Sequence, residues 1–572
     1  MHKIGYKIPF VLTLLLSVVC GPSDNTQKSD TLAKQNPMFV DVTKEVNLDF
    51  VHDPGVDGRY FMPESIGSGG AFLDYDNDGD LDIYLINSGP HNGDKKDETN
   101  ITNQLFRHEG NGTFANVTAE SGLGDTGYGM GVAVGDINND GHVDVYVTNY
   151  GPDALYRNNG DGTFGNISKQ AGITNPQWGC SAVFFDYNLD TYLDIYVTNY
   201  VAYDPTDICM DRSGRQDYCG PAGFPGVPDV LYRNNGDATF MDVSMESGLA
   251  AGASKGLGVV SADFNGDHWP DVYVANDQEA NHLWINMGDG TFTDKALMRG
   301  IALNELGRPE AGMGIALGDA ENDSDLDLFV THLRTESNTF YRSEGEHGYQ
   351  DDTVVAGLAG PSIPYTGFGT GFFDYDHDGD LDLAVVNGRV TRGPLLVHNR
   401  RSYWDDYAEP NFLYENDGQG QFRALTAEES AFGRPIENSR GLAFGDVDND
   451  GDIDLLVTNE GGPARLFRNE ADHNGHWLIV RAVDPNLDRN AIGATITVHV
   501  GNKRMTRLIN PGYSFCSSND VRAHFGLAEA DAVDEIAVLW PDGTIETFPG
   551  AKSDQIITLK RGQSTSQQSN TD

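Results

Sequence analysis

Seven near-copies of one short acidic pattern limit what this chain can fold into more than any other feature. The first, "DYDNDGDLDIYLIN", begins at Asp74, and others begin at Asp136, Asp186, Asp263, Asp319, Asp374 and Asp446. A second motif of the "ALYRNNGDGTF" kind follows each copy, and after six of them a third follows, as in "GNISKQAGI". Each unit reads as four short strands: a Gly-rich apolar strand, an alternating strand such as "VDVYVTN", then "LYRN" and "TFxxVT". Alternation, β-branched residues and Asn-Gly or Asp-Gly turns carry that reading. Four-stranded repeats at this spacing predict an all-β propeller. The seventh copy of the third motif stands at the start of the repeats, in "FVDVTKEVNL" from Phe39. It is expected to supply the last strand of the last blade and so close a ring of seven.

The chain is 572 residues long with 39% hydrophobic residues, enough to bury a core and to exclude a disordered acidic chain. Its 86 acidic and 38 basic residues give a formal charge of -48, which argues against nucleic acid as a partner. The acids are concentrated in the repeats. Their pattern, D-x-[DNE]-x-D-G-x-x-D, places oxygen donors at alternate positions of a tight turn. Gly at the sixth position permits positive φ and the seventh carbonyl can turn inward, the logic of a calcium loop. An EF-hand would continue to a glutamate at position twelve; here the last acid is the ninth and a strand follows.

The pattern resembles the calcium loops of integrin α-type propellers and of FG-GAP/VCBS repeats, over roughly Phe39 to Asn469. The resemblance implies several bound Ca2+, up to seven. It assigns Asp74, Asp76, Asp78, the Asp80 carbonyl and Asp82 to the first site, and Asp136, Asn138, Asp140, the His142 carbonyl and Asp144 to the second. Asp374, Asp376, Asp378, the Asp380 carbonyl and Asp382 form the sixth; Asp446, Asp448, Asp450, the Asp452 carbonyl and Asp454 form the seventh. Three copies depart at the turn glycine. Thr191 replaces it beside Asp186, Asn188, Asp190 and Asp194, and His268 beside Asp263, Asn265, Asp267 and Asp271. Ser324 replaces it beside Asp319, Glu321, Asp323 and Asp327. Weaker binding is expected at the third and fourth copies and intermediate binding at the fifth.

Residues 1–20 read as a secretory signal, with two lysines before an apolar run too short to span a bilayer. Cys20 resembles a bacterial lipoprotein cysteine, so a lipid anchor is one reading, although Val19 departs from the small residue such signals carry. Residues 21–37 read as a flexible linker. Cys209 and Cys219 share one loop and could pair in an oxidising compartment.

Strand alternation places two long insertions, Tyr200 to Val230 and Gly388 to Pro410, on the face opposite the acidic turns. Long loops on a rigid ring are where recognition usually sits. His332, Arg389, Arg392, Arg400, Arg401, Tyr403 and Trp404 are candidate ligand residues, the arginines suggesting an anionic ligand; a solvated loop is the plainer reading. His332 also breaks a series of asparagines that end each second strand, from Asn87 to Asn459, read first as turn caps and second as channel lining.

From His476 the repeat stops. "NAIGATITV", "GYSFCSSNDVRAHFGL" and "VDEIAVLWPDG" resemble the ASPIC/UnbV domain, which follows the same propeller in the cartilage acidic protein-like family. The expected order is therefore a seven-bladed propeller over 38–470, a small sandwich-like β domain over 476–561, and a disordered tail over 562–572. "IGSGG" at Ile66 is not a nucleophile elbow, and no H-E-x-x-H occurs. The sequence favours a calcium-binding adhesion module at the cell surface, for a protein or glycan. The alternative is a propeller enzyme, of polysaccharide lyase, hydrolase or cyclase type, at the channel mouth opposite the calcium loops.

Overall fold

The computed structural model describes residues 38–89, 101–471 and 475–564. The expected signal, Cys20, the linker and residues 565–572 of the tail lie outside the described residues. Residues Pro37–Asp572 form one compact unit.

Each repeat folds as an antiparallel sheet of four strands in chain order, as in Gly129–Gly135, Asp144–Asn149, Ala154–Asn158 and Phe164–Asn166. Seven such sheets span the repeats. In the seventh, the chain itself supplies three strands, Ser439–Gly445, Asp454–Asn459 and Arg465–Asn469. Phe39–Asp41 supplies the fourth, with Val40 opposite Arg468. The first strand of each sheet packs on that of the next, and Ser439–Gly445 returns to pack on Gly70–Leu73 of the first sheet. The ring is closed by the two ends of the repeat region.

The inner strands are glycine-rich because they approach one another backbone to backbone. A Cβ on Gly314 would lie 2.1 Å from the Phe368 carbonyl oxygen of the next sheet, and one on Gly258 would lie 2.2 Å from that of Met313. Larger residues fill the space between sheets; Tyr84, Tyr146, Tyr196 and Tyr273, at matching positions of the second strands, are fully buried.

Residues from His476 form two four-stranded sheets over a shared core of Leu478, Val480, Ile496, Val498, Phe525, Ile536, Val538 and Trp540. Between Lys503–Leu508 and Ala523–Ala528 the chain leaves this core and enters the ring. That excursion touches the inner strand of every sheet. Phe72 N–H donates to the Ser518 carbonyl, Val132 N–H to that of Cys516 and Ile315 N–H to that of Ser514. Cys516 N–H donates to Ser181 Oγ, Asn510 to the Ser261 carbonyl, Thr370 N–H to Ser514 Oγ, and Asp520 N–H to the Phe444 carbonyl. Phe515 and Cys516 end in an apolar cluster with Met130, Trp178, Cys180, Leu257, Met313 and Phe368. The middle of the ring is a packed core.

Candidate metal centres

The acidic loops join the first and second strands of each sheet and are numbered 1 to 7 in chain order. Their shape comes from the first and ninth aspartates. In every loop the first aspartate's Oδ2 accepts the N–H of the sixth residue, at 3.2 Å from Gly79, 2.9 Å from Gly141, 2.8 Å from Thr191 and 2.8 Å from His268. The distances are 2.9 Å from Ser324, 2.8 Å from Gly379 and 3.0 Å from Gly451. The turn needs positive φ at that residue. Thr191, His268 and Ser324 adopt it, at 79°, 69° and 78°, where Gly379 has 88°. Loss of glycine has kept the turn at the expense of local strain.

The ninth aspartate, assigned from the sequence as the last ligand, carries a second task. Asp82 accepts Tyr75 N–H on one oxygen and His108 N–H on the other, at 3.1 and 2.8 Å. Asp144, Asp194, Asp271, Asp327, Asp382 and Asp454 each bind the two matching amides. It therefore ties the loop to the third strand, and only a remaining lone pair could reach an ion.

Loops 1, 6 and 7 gather carboxylates most closely. Ligand oxygens lie within 4.8 Å of one another in Asp74, Asp76 and Asp78, in Asp374, Asp376 and Asp382, and in Asp446, Asp448 and Asp450. Asp74 Oδ1 and Asp374 Oδ1 are buried without a hydrogen-bond partner, as expected of atoms placed for a cation. Burial, then the neighbouring carboxylate, pushes Asp74 up to about 6 and Asp374 to about 7; in Asp446 burial outweighs Arg522 and the value reaches about 7. All-oxygen donors of this kind suit a hard divalent ion.

Loop 2 retains its glycine, and the sequence grouped it with loops 1, 6 and 7. Its side chains group it with loops 3 and 4 instead. Asn138 Nδ2 donates to Asp140 Oδ2 at 2.7 Å, as Asn188 does to Asp190 and Asn265 to Asp267, both at 2.9 Å. These loops hold two fewer carboxylates than loops 1, 6 and 7 and satisfy part of their charge internally. In loop 5, Glu321 reaches out to pair with Arg342.

A belt of hydrogen bonds that the sequence reading missed joins the loops. The fourth residue of a loop reaches the sixth carbonyl of the next: Asn77 to Gly141, Asn139 to Thr191, Asn322 to Gly379, His377 to Gly451 and Asn449 to Gly79. Loops 3 and 4 carry Leu189 and Gly266 there, which cannot form this contact. The recurring Asn was the available signal.

On the opposite face, the insertion arginines are spent on acids of their own surroundings. Arg389 Nε donates to Glu409 at 2.8 Å, Arg400 pairs with Asp406, and Arg401 with Asp405 at 2.9 Å. Arg392 Nη2 donates to Tyr60 Oη at 2.6 Å. Each of these arginines is thus paired with a carboxylate or tyrosine of its own surroundings, Arg400 and Arg401 keeping their side chains exposed. Trp404 is buried and stacked on Tyr218 with centroids 6.1 Å apart, while Tyr403 lies partly exposed beside it. Cys209 and Cys219 form a disulfide, and the two insertions meet where Tyr407 Oη donates to Asp217 at 2.7 Å. His332 is buried, its pKa lowered by burial, with Glu310 at 3.6 Å. The asparagines cap turns: Asn149 donates to the Pro152 carbonyl and Asn459 to that of Pro463.

The FG-GAP-like repeat family matches at residues 74–147, 136–197, 263–330 and 402–457, and the ASPIC and UnbV family at 484–566. Cartilage acidic protein 1 of Homo sapiens is 25% identical over 340 residues, covering 57% of this chain and 48% of that protein. Its Xenopus tropicalis counterpart is 25% identical over 366 residues, covering 59% and 52%. The chain thus spans about half the length of the curated relatives it matches. Among solved structures, the BP39L lectin from Burkholderia pseudomallei aligns with TM-score 0.41 at 10% identity, over 71% of this chain and 96% of that one.

Proposed function

For a chain that carries FG-GAP-like repeats and a C-terminal ASPIC/UnbV domain, we propose the role of an exported, calcium-stabilised binding module whose ligand is a protein or glycan. The observation that carries the calcium reading is the convergence of three carboxylates in each of loops 1, 6 and 7, with buried oxygens left over at Asp74 and Asp374. Seven loops of one design repeated around a ring suit a scaffold better than a reaction centre. When bound, the ion would supply the charge that lets these aspartates stay ionised while buried.

The ligand face is inferred by elimination. The C-terminal domain lies against the metal loops, and residues 510–520 fill the ring. A propeller enzyme working from the channel gains no support from a channel so filled. The opposite face carries the long insertions, held by the Cys209–Cys219 disulfide. That disulfide and the apolar leader are what support export; no helix among the described residues is long and apolar enough to cross a membrane.

Calorimetric titration of the chain with Ca2+ tests the first part, and a glycan array and a surface-protein screen with and without chelator test the second. Absence of measurable Ca2+ binding would sink the metal reading. Ligand capture surviving mutation of the insertions would sink the choice of face.

A further inference from the structure

The C-terminal domain brings cations of its own to the metal loops, and two of them stand between neighbouring loops. Arg489 donates through Nη2 to the Thr191 carbonyl of loop 3 at 3.0 Å and faces Asp136 of loop 2 as well as Asp186 of loop 3. Arg522 donates to the Asp446 carbonyl and to Asn449 Oδ1 of loop 7, both at 2.7 Å, but its charge is already paired with Asp520 of its own domain, through Nη2 and Nε at 2.8 Å. Arg507, over the Phe525 ring at 5.4 Å, lines a small cavity with Asp374 of loop 6 and faces Asp319 of loop 5. Arg489 and Arg507 thus each stand between two loops, while Lys503 of the same domain pairs with Asp380 of loop 6 at 2.9 Å. In loop 4, His268 lies 3.7 Å from Asp263, and Arg299 of the same repeat donates to the Phe264 carbonyl at 3.0 Å.

Arg489 is nearly buried, with its Nε and Nη1 lacking hydrogen-bond partners; Arg507 likewise has no partner at Nε and Nη2. Neither guanidinium is consumed by a conventional ion pair, so much of its compensation comes through space from the loop carboxylates. A divalent ion entering a loop takes that compensation away and adds a like charge beside the guanidinium.

We propose that Arg489 and Arg507 are affinity-determining residues for the metal loops: resident cations that neutralise paired loops when no ion is bound and lower their affinity for one. The proposal rests on the calcium reading of the loops and adds that the C-terminal domain sets how tightly they bind.

The test is calorimetric titration of the full chain with Ca2+ in wild type and in Arg489→Gln and Arg507→Gln, with Arg→Lys at each position as the charge-preserving control. Thermal unfolding in chelator is the second readout. Removing a unit charge about 6 Å from a divalent ion is expected to tighten the affected pair of loops by about tenfold even at an effective dielectric near that of water. The Lys variants should stay within about threefold of wild type. The Gln variants should also melt lower than wild type in chelator and regain the difference in Ca2+. Wild type binding Ca2+ with no tightening in the Gln variants would overturn the inference and leave the metal sites standing. No Ca2+ binding by wild type would overturn both. Should a Gln variant fail to fold even in Ca2+, the Lys variant at that position still decides: tightening there, with charge retained, would contradict the proposal.

Discussion

Asn449 Nδ2 lies 2.9 Å from Asp80 Oδ1, joining loop 7 to loop 1 across 369 positions of sequence. The belt of loop-to-loop hydrogen bonds thereby runs through the seam where the ring closes. Asn449→Ala removes this link and the one to Arg522. It is expected to lower stability by about 1–2 kcal/mol, the range for one or two partly exposed hydrogen bonds. Denaturant titration measures this, and a change under a few tenths of a kcal/mol would show the belt to be incidental.

The belt is interrupted at Leu189, which sits at φ 55° in a turn that leucine adopts unwillingly. Asparagine tolerates that conformation and could reach toward the carbonyl of loop 4. Leu189→Asn is expected to stabilise the protein by about 0.5–1 kcal/mol, read as a higher melting temperature. Destabilisation would mean that leucine packing there outweighs the strain.

Asp82→Asn leaves one acceptor oxygen where two backbone amides, of Tyr75 and His108, now find one each. An unsatisfied buried amide costs about 1–3 kcal/mol. The loss is expected to persist in saturating Ca2+, whereas Asp78→Asn should mainly weaken binding. Chemical denaturation of both variants, with and without the ion, separates the two roles.

The pH dependence without metal follows from the carboxylates. Burial, reinforced or opposed by neighbouring charges, raises Asp186 and Asp319 to about 6, Asp450 to about 7 and Asp82 and Asp271 to about 8. A raised folded-state pKa means the folded chain binds more protons than the unfolded one, so stability falls as pH rises from about 4 through 8. In chelator the melting temperature is therefore expected to drop between pH 5 and 8. Saturating Ca2+ should flatten that drop, since an ion bound only by the native state stabilises it. A chelated protein that grows more stable over this range would contradict the electrostatics of the loops.

Cys180 and Cys516 are buried in the middle of the ring, and burial pushes the Cys516 thiol up to about 12. Neither is expected to react with a thiol reagent in the native protein, and both should react on unfolding. Rapid labelling of Cys516 alone would show that residues 510–520 leave the ring readily.

Much of this architecture is legible in the sequence because the same physics repeats seven times. The displaced "FVDVT" at Phe39 carries ring closure, and Cys209 and Cys219 carry their own pairing. The divided role of Asp82 and its equivalents was hidden because a carboxylate that binds amides and one that binds an ion look alike in a motif. The pairing of the insertion arginines was hidden for a related reason: local charge in "GRVTRGPLLVHNRRSYW" does not reveal Glu409, Asp405 and Asp406 turned back upon it. The passage of residues 510–520 through the ring has no periodic signal at all, since its specificity lies in single contacts with seven different strands.

The segment that fills the ring is made after every strand that surrounds it, and the strand completing the last sheet is made before any of them. An emerging polypeptide can thus form individual hairpins but cannot complete its interior until residue 520 has left the ribosome. A product truncated before that point would present seven glycine-lined edges around a void.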